Sequence, residues 1–362
     1  MHEDRILNFS AGPAVLPESV LEQLRDDIWN LDASGVGVLE HSHRGKEVDR
    51  IFEEATADCK ELAGIDDSHE VLFLQGGASG QFAMIPMNFL HQGRTADYLV
   101  TGTWGKKAFQ EARGIGEAHC AHDGSETLFD HVPADGEIGL SADPEYLHYC
   151  SNNTIYGTRF DAMPTASCTR IADMSSEMFS RPWDYTGHGL IYAGAQKNLG
   201  PAGVVLVLVS KELLERSRDD VPTILSYQTH AKGGSRYHTP PVFAIHAMGL
   251  VFKWIKAEGG LEEMERRNNE KAALIYDVLD ESGGFYIPHS RPECRSVMNI
   301  TFKTGDPDLD KRFLEEASAN GMSALKGHRS IGGMRASIYN AFPTEGCRTL
   351  AEFMREFARR NG

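Results

Sequence analysis

Between Glu70 and Val209 short β-rich apolar runs alternate with segments of helical periodicity, and this alternation limits the possible fold more than any other feature of the chain. Residues 71–74, 96–100, 146–150, 169–172, 190–193 and 204–209 are each strand-sized, and helix-like stretches such as 81–90 lie between them. Strands and helices in that order form an α/β sheet, mainly parallel, that receives ligands at its strand ends. Upstream, residues 19–31 follow Pro17 as an amphipathic helix, and 46–62 form a second with apolar positions at Val48, Ile51, Phe52, Ala55 and Leu62. Downstream, 243–258 and 261–280 have the pattern of two long helices separated at Gly259-Gly260. The tail mixes strands at 297–303 and 334–338 with helices at 307–320 and 344–360. The expected organisation is a large domain over residues 16–262 and a smaller α+β domain made of 1–15 with 263–362.

Lys197 stands in Tyr192-Ala-Gly-Ala-Gln-Lys197-Asn-Leu-Gly-Pro-Ala-Gly203, a small-residue turn between two apolar runs. An ammonium held there hydrates poorly, and burial lowers its pKa toward the neutral amine, which attacks carbonyls to form a Schiff base. Taken alone, the same lysine is equally compatible with the surface of a strand-connecting turn. Asp173 ends the run Ile171-Ala-Asp173, one short element upstream. A carboxylate on the sheet rim near such a lysine suits pyridoxal phosphate chemistry, because it keeps the pyridine nitrogen protonated. An ordinary N-cap or turn aspartate has the same sequence appearance. Gln75-Gly-Gly-Ala-Ser79-Gly80 follows a strand and opens a helix, so free backbone N–H groups and the helix dipole can meet a phosphate there. Neither the nucleotide P-loop nor the dinucleotide fingerprint fits its spacing, and glycines at such a junction also serve simply to turn.

A formal net charge of −16 argues against a nucleic-acid partner. Cations are nonetheless concentrated locally. His41-Ser-His43-Arg44-Gly-Lys46 and Lys326-Gly-His328-Arg329 each place a His-Arg pair in a Gly-flanked turn, and Arg335 follows the second. Arginine pairs bidentately with carboxylate or phosphate, although solvated turns with extended arginines would look the same. No segment has the apolar length of a membrane span, and the first residues lack the basic-then-apolar pattern of a secretory signal. The six cysteines are scattered without Cys-x-x-Cys spacing, which suits a reducing cytoplasm better than a disulfide framework or a metal site.

Several motifs, in order, carry a resemblance that spans nearly the whole chain: Asn8-Phe-Ser-Ala-Gly-Pro13, Ser42-His-Arg-Gly-Lys-Glu47, Tyr192-Ala-Gly-Ala-Gln-Lys197-Asn, His238-Thr-Pro-Pro241, Gly249-Leu-Val-Phe-Lys-Trp254, Leu325-Lys-Gly-His-Arg329 and Gly332-Gly-Met-Arg-Ala-Ser-Ile-Tyr-Asn340. The chain resembles the phosphoserine aminotransferases, class-V enzymes of the pyridoxal 5'-phosphate (PLP) fold type I. The resemblance implies a large domain with a mainly parallel seven-stranded sheet, a small α+β domain, and a cytoplasmic homodimer with active sites at its interface. It implies that Lys197 carries the cofactor and shuttles protons, and that Asp173 pairs with its pyridinium nitrogen. Ala78, Ser79 and Gln196 would lie at its phosphate, Trp104 against its ring, and Thr154 at its phenolic oxygen. Without the resemblance Trp104 is a plain core aromatic. His238 and Thr239 would reach the phosphate of the neighbouring subunit. Arg335 would hold the substrate α-carboxylate, and His43, Arg44, His328 and Arg329 the distal phosphate or γ-carboxylate.

The implied reaction moves the amino group of glutamate to 3-phosphohydroxypyruvate. A related four-carbon phosphorylated keto acid of pyridoxine biosynthesis is a further expected acceptor. Two departures touch affinity more than chemistry: His238 stands where many members have asparagine, and Ala78-Ser79 where some have Gly-Arg. The rival readings are a serine–glyoxylate type aminotransferase, a cysteine desulfurase, and a non-catalytic PLP-binding protein. A desulfurase needs a nucleophilic cysteine on a mobile loop, and late in the chain only Cys347 is available, at the start of an expected helix.

Overall fold

The computed structural model of the chain describes residues 5–362. Seven strands form the central sheet: β1 (His69–Leu74), β2 (Thr95–Val100), β3 (Glu117–Asp123), β4 (Pro144–Cys150), β5 (Thr169–Asp173), β6 (Leu190–Gly194) and β7 (Val205–Ser210). Their spatial order is β1-β7-β6-β5-β4-β2-β3. The pairs β6–β5, β5–β4, β4–β2 and β2–β3 are parallel, whereas β7 runs antiparallel to both β6 and β1. Only an antiparallel neighbour can follow through a short turn, and the Lys197 turn makes that connection between β6 and β7.

Because helices cover both faces, the inner strands β4 and β6 are buried along their whole length. The edge strand β3 is polar and largely exposed, and for that reason has no apolar run by which the sequence announces it. Helices α1 (Glu18–Trp29), α2 (Lys46–Ala63), α3 (Gly77–Phe89), α4 (Thr103–Ile115) and α5 (Val242–Ala257) surround the sheet. On one face Val48, Ile51 and Phe52 of α2 join Met248, Val251 and Phe252 of α5 over Phe73 and Leu206. On the other, Phe82, Ile85 and Phe89 of α3 join Ala108 and Ala112 of α4 over Leu72, Tyr98 and Val207. Burying each of the larger side chains contributes about 1.5–3 kcal/mol.

Helix α6 (Gly260–Glu281) bridges two cores. Its Leu261 and Met264 pack in the first, and its Ala272, Ile275 and Leu279 in the second. The second core lies among the antiparallel strands β8 (Ile287–Pro288), β9 (Asn299–Lys303) and β10 (Met334–Ser337), with α7 (Pro307–Ala319) and α8 (Thr344–Asn361). Leu7 and Phe9 belong to it too, and Leu7–Asn8 pairs in parallel with Met322–Ser323.

Two helix limits differ from the sequence expectation. Helix α3 starts at Gly77 instead of Gln81, since Gly76 adopts φ 88° and turns the chain from β1 straight into the helix. Helix α1 stops at Trp29, and Leu31 opens a separate short turn.

Candidate active site

The carboxyl-terminal ends of β1, β2, β4, β5 and β6 point toward one edge of the sheet, and the polar residues singled out by sequence gather there. This is where open α/β sheets receive ligands. Asp173 closes β5, paired in register with Tyr192 of β6, and Lys197 follows the end of β6 by three residues. Asp173 is buried, and its Oδ1 accepts the Ser175 N–H at 3.0 Å and the Ser175 hydroxyl at 2.6 Å. Its Oδ2 has no hydrogen-bond partner among the described residues.

Lys197 keeps some accessible surface, yet its amine is densely surrounded by protein. Burial lowers its pKa, and the neighbouring Arg335 acts in the same direction, against the opposing charges of Asp173 and Cys150. Among the described residues the amine has no hydrogen-bond or ion-pair partner, and it faces the Trp104 ring, whose centroid lies 5.5 Å away. The N-terminal segment closes over this turn. Ala14 N–H donates to the Gln196 carbonyl at 2.9 Å, and a Cβ at Gly12, where φ is 140°, would come within 3.3 Å of Lys197 Cγ. The Asn8–Pro13 motif therefore places a glycine where a side chain would press on the lysine. Gln196 itself is half-buried in the same turn.

Trp104 opens α4 just past β2, and its indole N–H donates to Thr154 Oγ1 at 3.1 Å. The Thr154 hydroxyl still has its own proton to donate. Its carbonyl accepts from Arg335 Nη1 at 3.0 Å, which ties the small-domain strand β10 to the end of β4. Arg335 is half-buried, its Nε is buried without a partner, and no carboxylate pairs with it among the described residues. Burial pushes its pKa down, and only the Tyr339 phenol opposes this. A guanidinium left in this condition is poised for an anion.

Ala78 and Ser79 occupy the first turn of α3, where helix geometry leaves backbone N–H groups without internal partners. His238 lies beside this turn, its Nε2 2.9 Å from Gln75 Oε1 of the same chain, and its Nδ1 is buried without a partner. Thr239 is exposed. His328 sits close enough to Arg335, Arg329 and Lys107 that their charges join burial in lowering its pKa. Arg329 is exposed and also lines a neighbouring cleft of about 890 Å³ with Lys303 and Lys326. His43 and Arg44 lie in the turn before α2, where Arg44 Nε is 3.4 Å from His43 Nε2. No hydrogen bond or ion pair joins either to Lys197, Asp173 or Arg335 among the described residues. The structure thus brings together Lys197, Asp173, Trp104, Thr154, Arg335 and His328, and leaves the turn at His43 and Arg44 outside that cluster.

Sequence reading names neither Ser175 nor Lys107. The Asp-x-Ser spacing of an Asx turn marks Ser175. Nothing local marks Lys107, whose relevance depends on where α4 packs.

The donor set fits pyridoxal phosphate: an unpartnered amine for its aldehyde, a free carboxylate oxygen for its ring nitrogen, N–H groups of a helix start for its phosphate, and an indole for its ring. Together with the doubly covered sheet, this defines a pyridoxal-phosphate enzyme of fold type I. The aminotransferase class-V family profile matches residues 6–350. A phosphoserine aminotransferase of Desulfotalea psychrophila is 52% identical over 358 residues, covering 99% of each chain. The solved phosphoserine aminotransferase of Bacillus circulans subsp. alkalophilus superimposes with a TM-score of 0.97 at 47% identity, over 99% of this chain and 100% of that one. A PLP-bound phosphoserine aminotransferase from Trichomonas vaginalis gives a TM-score of 0.92 at 38% identity, over 97% of this chain and 100% of that one. The chain belongs to the class-V aminotransferases and, within them, to the phosphoserine aminotransferases.

Proposed function

We propose that the chain transfers the amino group of glutamate to 3-phosphohydroxypyruvate, yielding O-phosphoserine and 2-oxoglutarate in two half-reactions. Pyridoxal phosphate, when bound, supplies the aldehyde that takes up the amino group and the ring that accepts the α-carbon's electrons. The observation that carries the reading is the half-buried Lys197 amine, without a polar partner among the described residues, beside Asp173 and Arg335. Lys197 Nζ, with its pKa lowered by burial, both holds the cofactor and takes and returns a proton. Asp173 Oδ2 holds positive charge on the ring nitrogen, while Ser175 fixes the other oxygen. Arg335 orients the substrate α-carboxylate, and His328 and Arg329, with His43 and Arg44, take the distal phosphate or γ-carboxylate. Ala78, Ser79, Gln196, His238 and Thr239 serve the cofactor phosphate, Trp104 its ring and Thr154 its phenolic oxygen.

A second copy of the chain completes the site in this reading, with His238 and Thr239 reaching the phosphate across the interface. Ile28, Trp29 and Leu39 are exposed on α1 and the segment after it, and Trp29 retains 85% of its surface. Tyr237 is likewise exposed beside His238. Leu39 stands close in sequence to His43 and Arg44, so a face buried between two copies would bring that turn to a partner's site. The two lobes of each copy are assigned to residues 16–262 and to 1–15 with 263–362, of which 1–4 lie outside the described residues. Among the described residues no helix is long and apolar enough to cross a membrane. All six cysteines are unpaired, which fits a cytoplasmic enzyme. Cys347 is buried in α8 with its thiol pushed up to about 12, so it is not the exposed thiolate a desulfurase needs.

The test is a coupled assay of 2-oxoglutarate release from glutamate and 3-phosphohydroxypyruvate. Wild type should turn over and Lys197→Ala should not; equal rates would refute the assignment. Replacing Arg44 and Arg329 should cripple turnover of the phosphorylated substrate, and full activity would remove both from the pocket. Assaying the four-carbon phosphorylated keto acid in parallel decides whether it is also an acceptor.

A further inference from the structure

Lys107 lies one helical turn beyond Trp104 on α4, so the two side chains share a face. Its amine is 4.9 Å from the centroid of the Trp104 ring. Glu111 stands four residues further on, at the spacing that favours an ion pair, yet Lys107 pairs neither with it nor with any other carboxylate among the described residues. Lys107 is exposed, and its ammonium is left free to meet an anion.

Its surroundings belong to the active site. The Trp104 indole is fixed to Thr154, and Thr154 in turn to Arg335. Across the cleft runs the loop that carries His328 and Arg329. Ile331 of that loop packs on the cluster of Val100, Phe129, Ile155 and Tyr156, which also receives Trp104 and Phe109 of α4. The helix that carries Lys107 and the loop that carries His328 therefore meet at this cluster. Lys107 acts on the imidazole together with Arg335 and Arg329.

Taking the site to be that of an aminotransferase for a phosphorylated acid, we propose that Lys107 is a specificity-determining residue whose ammonium joins His328 and Arg329 in recognising the distal anion and favours a phosphate dianion over a carboxylate. A second positive charge gains more from a doubly charged group than from a singly charged one. The gain is electrostatic and weakens with salt. Lys107 acts in binding, not in the chemical step: its amine lies over the Trp104 ring, and it has no hydrogen bond or ion pair to Lys197, Asp173 or Arg335 among the described residues.

The test follows the holoenzyme's absorbance in single half-reactions, with O-phosphoserine and with glutamate, for wild type, Lys107→Gln and Lys107→Arg. For Lys107→Gln the apparent Kd of O-phosphoserine should rise about fivefold, that of glutamate at most about twofold, with saturating rates little changed. Arginine should restore most of the loss, and added salt should narrow the difference between wild type and the glutamine variant. In NMR titrations of the same variants, the His328 pKa should rise once the lysine charge is gone. No change in the O-phosphoserine Kd, or an equal rise for both substrates, would overturn the proposal and leave Lys107 as a support for Trp104. Wild-type protein that fails to react with O-phosphoserine would instead sink the functional reading, whatever the variants do.

Discussion

The Ser175 hydroxyl donates to Asp173 Oδ1 at 2.6 Å and, through the same oxygen, accepts the Gly194 N–H at 3.0 Å. One side chain thus links the carboxylate at the end of β5 to the strand that delivers Lys197. It occupies one oxygen of Asp173 and leaves the other, which in the proposed function meets the ring nitrogen of the cofactor, without a hydrogen bond among the described residues. Ser175→Ala removes the hydroxyl and keeps the backbone donor. Cofactor affinity should fall about tenfold, in line with roughly 1.5 kcal/mol for a hydrogen bond to a charged group. Titrating PLP into cofactor-free protein by absorbance checks this. An unchanged affinity would mean that the backbone alone positions Asp173.

The Lys197 amine has no polar partner, so without cofactor it is a liability to the fold. Lys197→Met should raise the stability of cofactor-free protein by about 1 kcal/mol, the low end for an unsatisfied polar group because the lysine is only half-buried. Denaturant midpoints of both proteins, stripped of cofactor, give the comparison. A less stable variant would show that the amine is solvated in the free protein.

Two buried histidines predict a loss of stability in acid. His148 is held down to about 3 by burial, and His188 to about 4, again chiefly by burial. In the unfolded chain both take up a proton near pH 6.5, as ordinary histidines do. Below that pH the unfolded state binds more protons than the folded one, so stability is full above about 6.5 and falls as the pH drops toward the folded pKa values, by about 1.4 kcal/mol per pH unit for each histidine. Replacing His148 by glutamine should make the fall between pH 6 and 4.5 shallower by about one proton. Identical slopes in urea melts across that range would show that His148 takes its proton without unfolding.

Lys271 on α6 is 1% exposed, and its ammonium donates to the carbonyls of Ile338 at 3.0 Å and Tyr339 at 2.6 Å. Nearby, Asn340 N–H donates to Asn198 Oδ1 at 3.0 Å, next to Lys197 in the chain. Lys271→Met takes the ammonium from both carbonyls, of which only that of Tyr339 keeps another donor, the Phe342 N–H at 2.9 Å, and this should cost about 1–3 kcal/mol. The same change should raise the KM for glutamate by loosening the segment after Arg335. Stability and KM measured on one preparation test both parts. A destabilised variant with normal KM would confine Lys271 to a role in folding.

Much of this architecture was legible in the chain. The buried strands announce themselves because both faces of the sheet are covered, which makes β6 and β7 nearly continuous apolar runs. The polar edge strand β3 carries no such mark. The early start of α3 depends on a glycine with positive φ, a conformational choice that residue type permits but does not dictate. Lys197, Asp173 and the cationic turns stand out because their residue types are costly or unusual in their local settings. Ser175 and Lys107 are ordinary in theirs.

The order of apolar runs, the lysine at a crowded turn and the aspartate at a strand end follow from the linear chain, since hydrophobic periodicity and turn chemistry act over a few residues. Which groups remain without partners was decided only by the tertiary structure. The free oxygen of Asp173, the unpaired guanidinium of Arg335, the isolated amine of Lys197 and the meeting of Lys107 with His328 all arise where segments far apart in sequence pack together. Partnership in a folded chain is a property of distance and burial, and neither quantity exists until the sheet has assembled and the second lobe has closed on its edge.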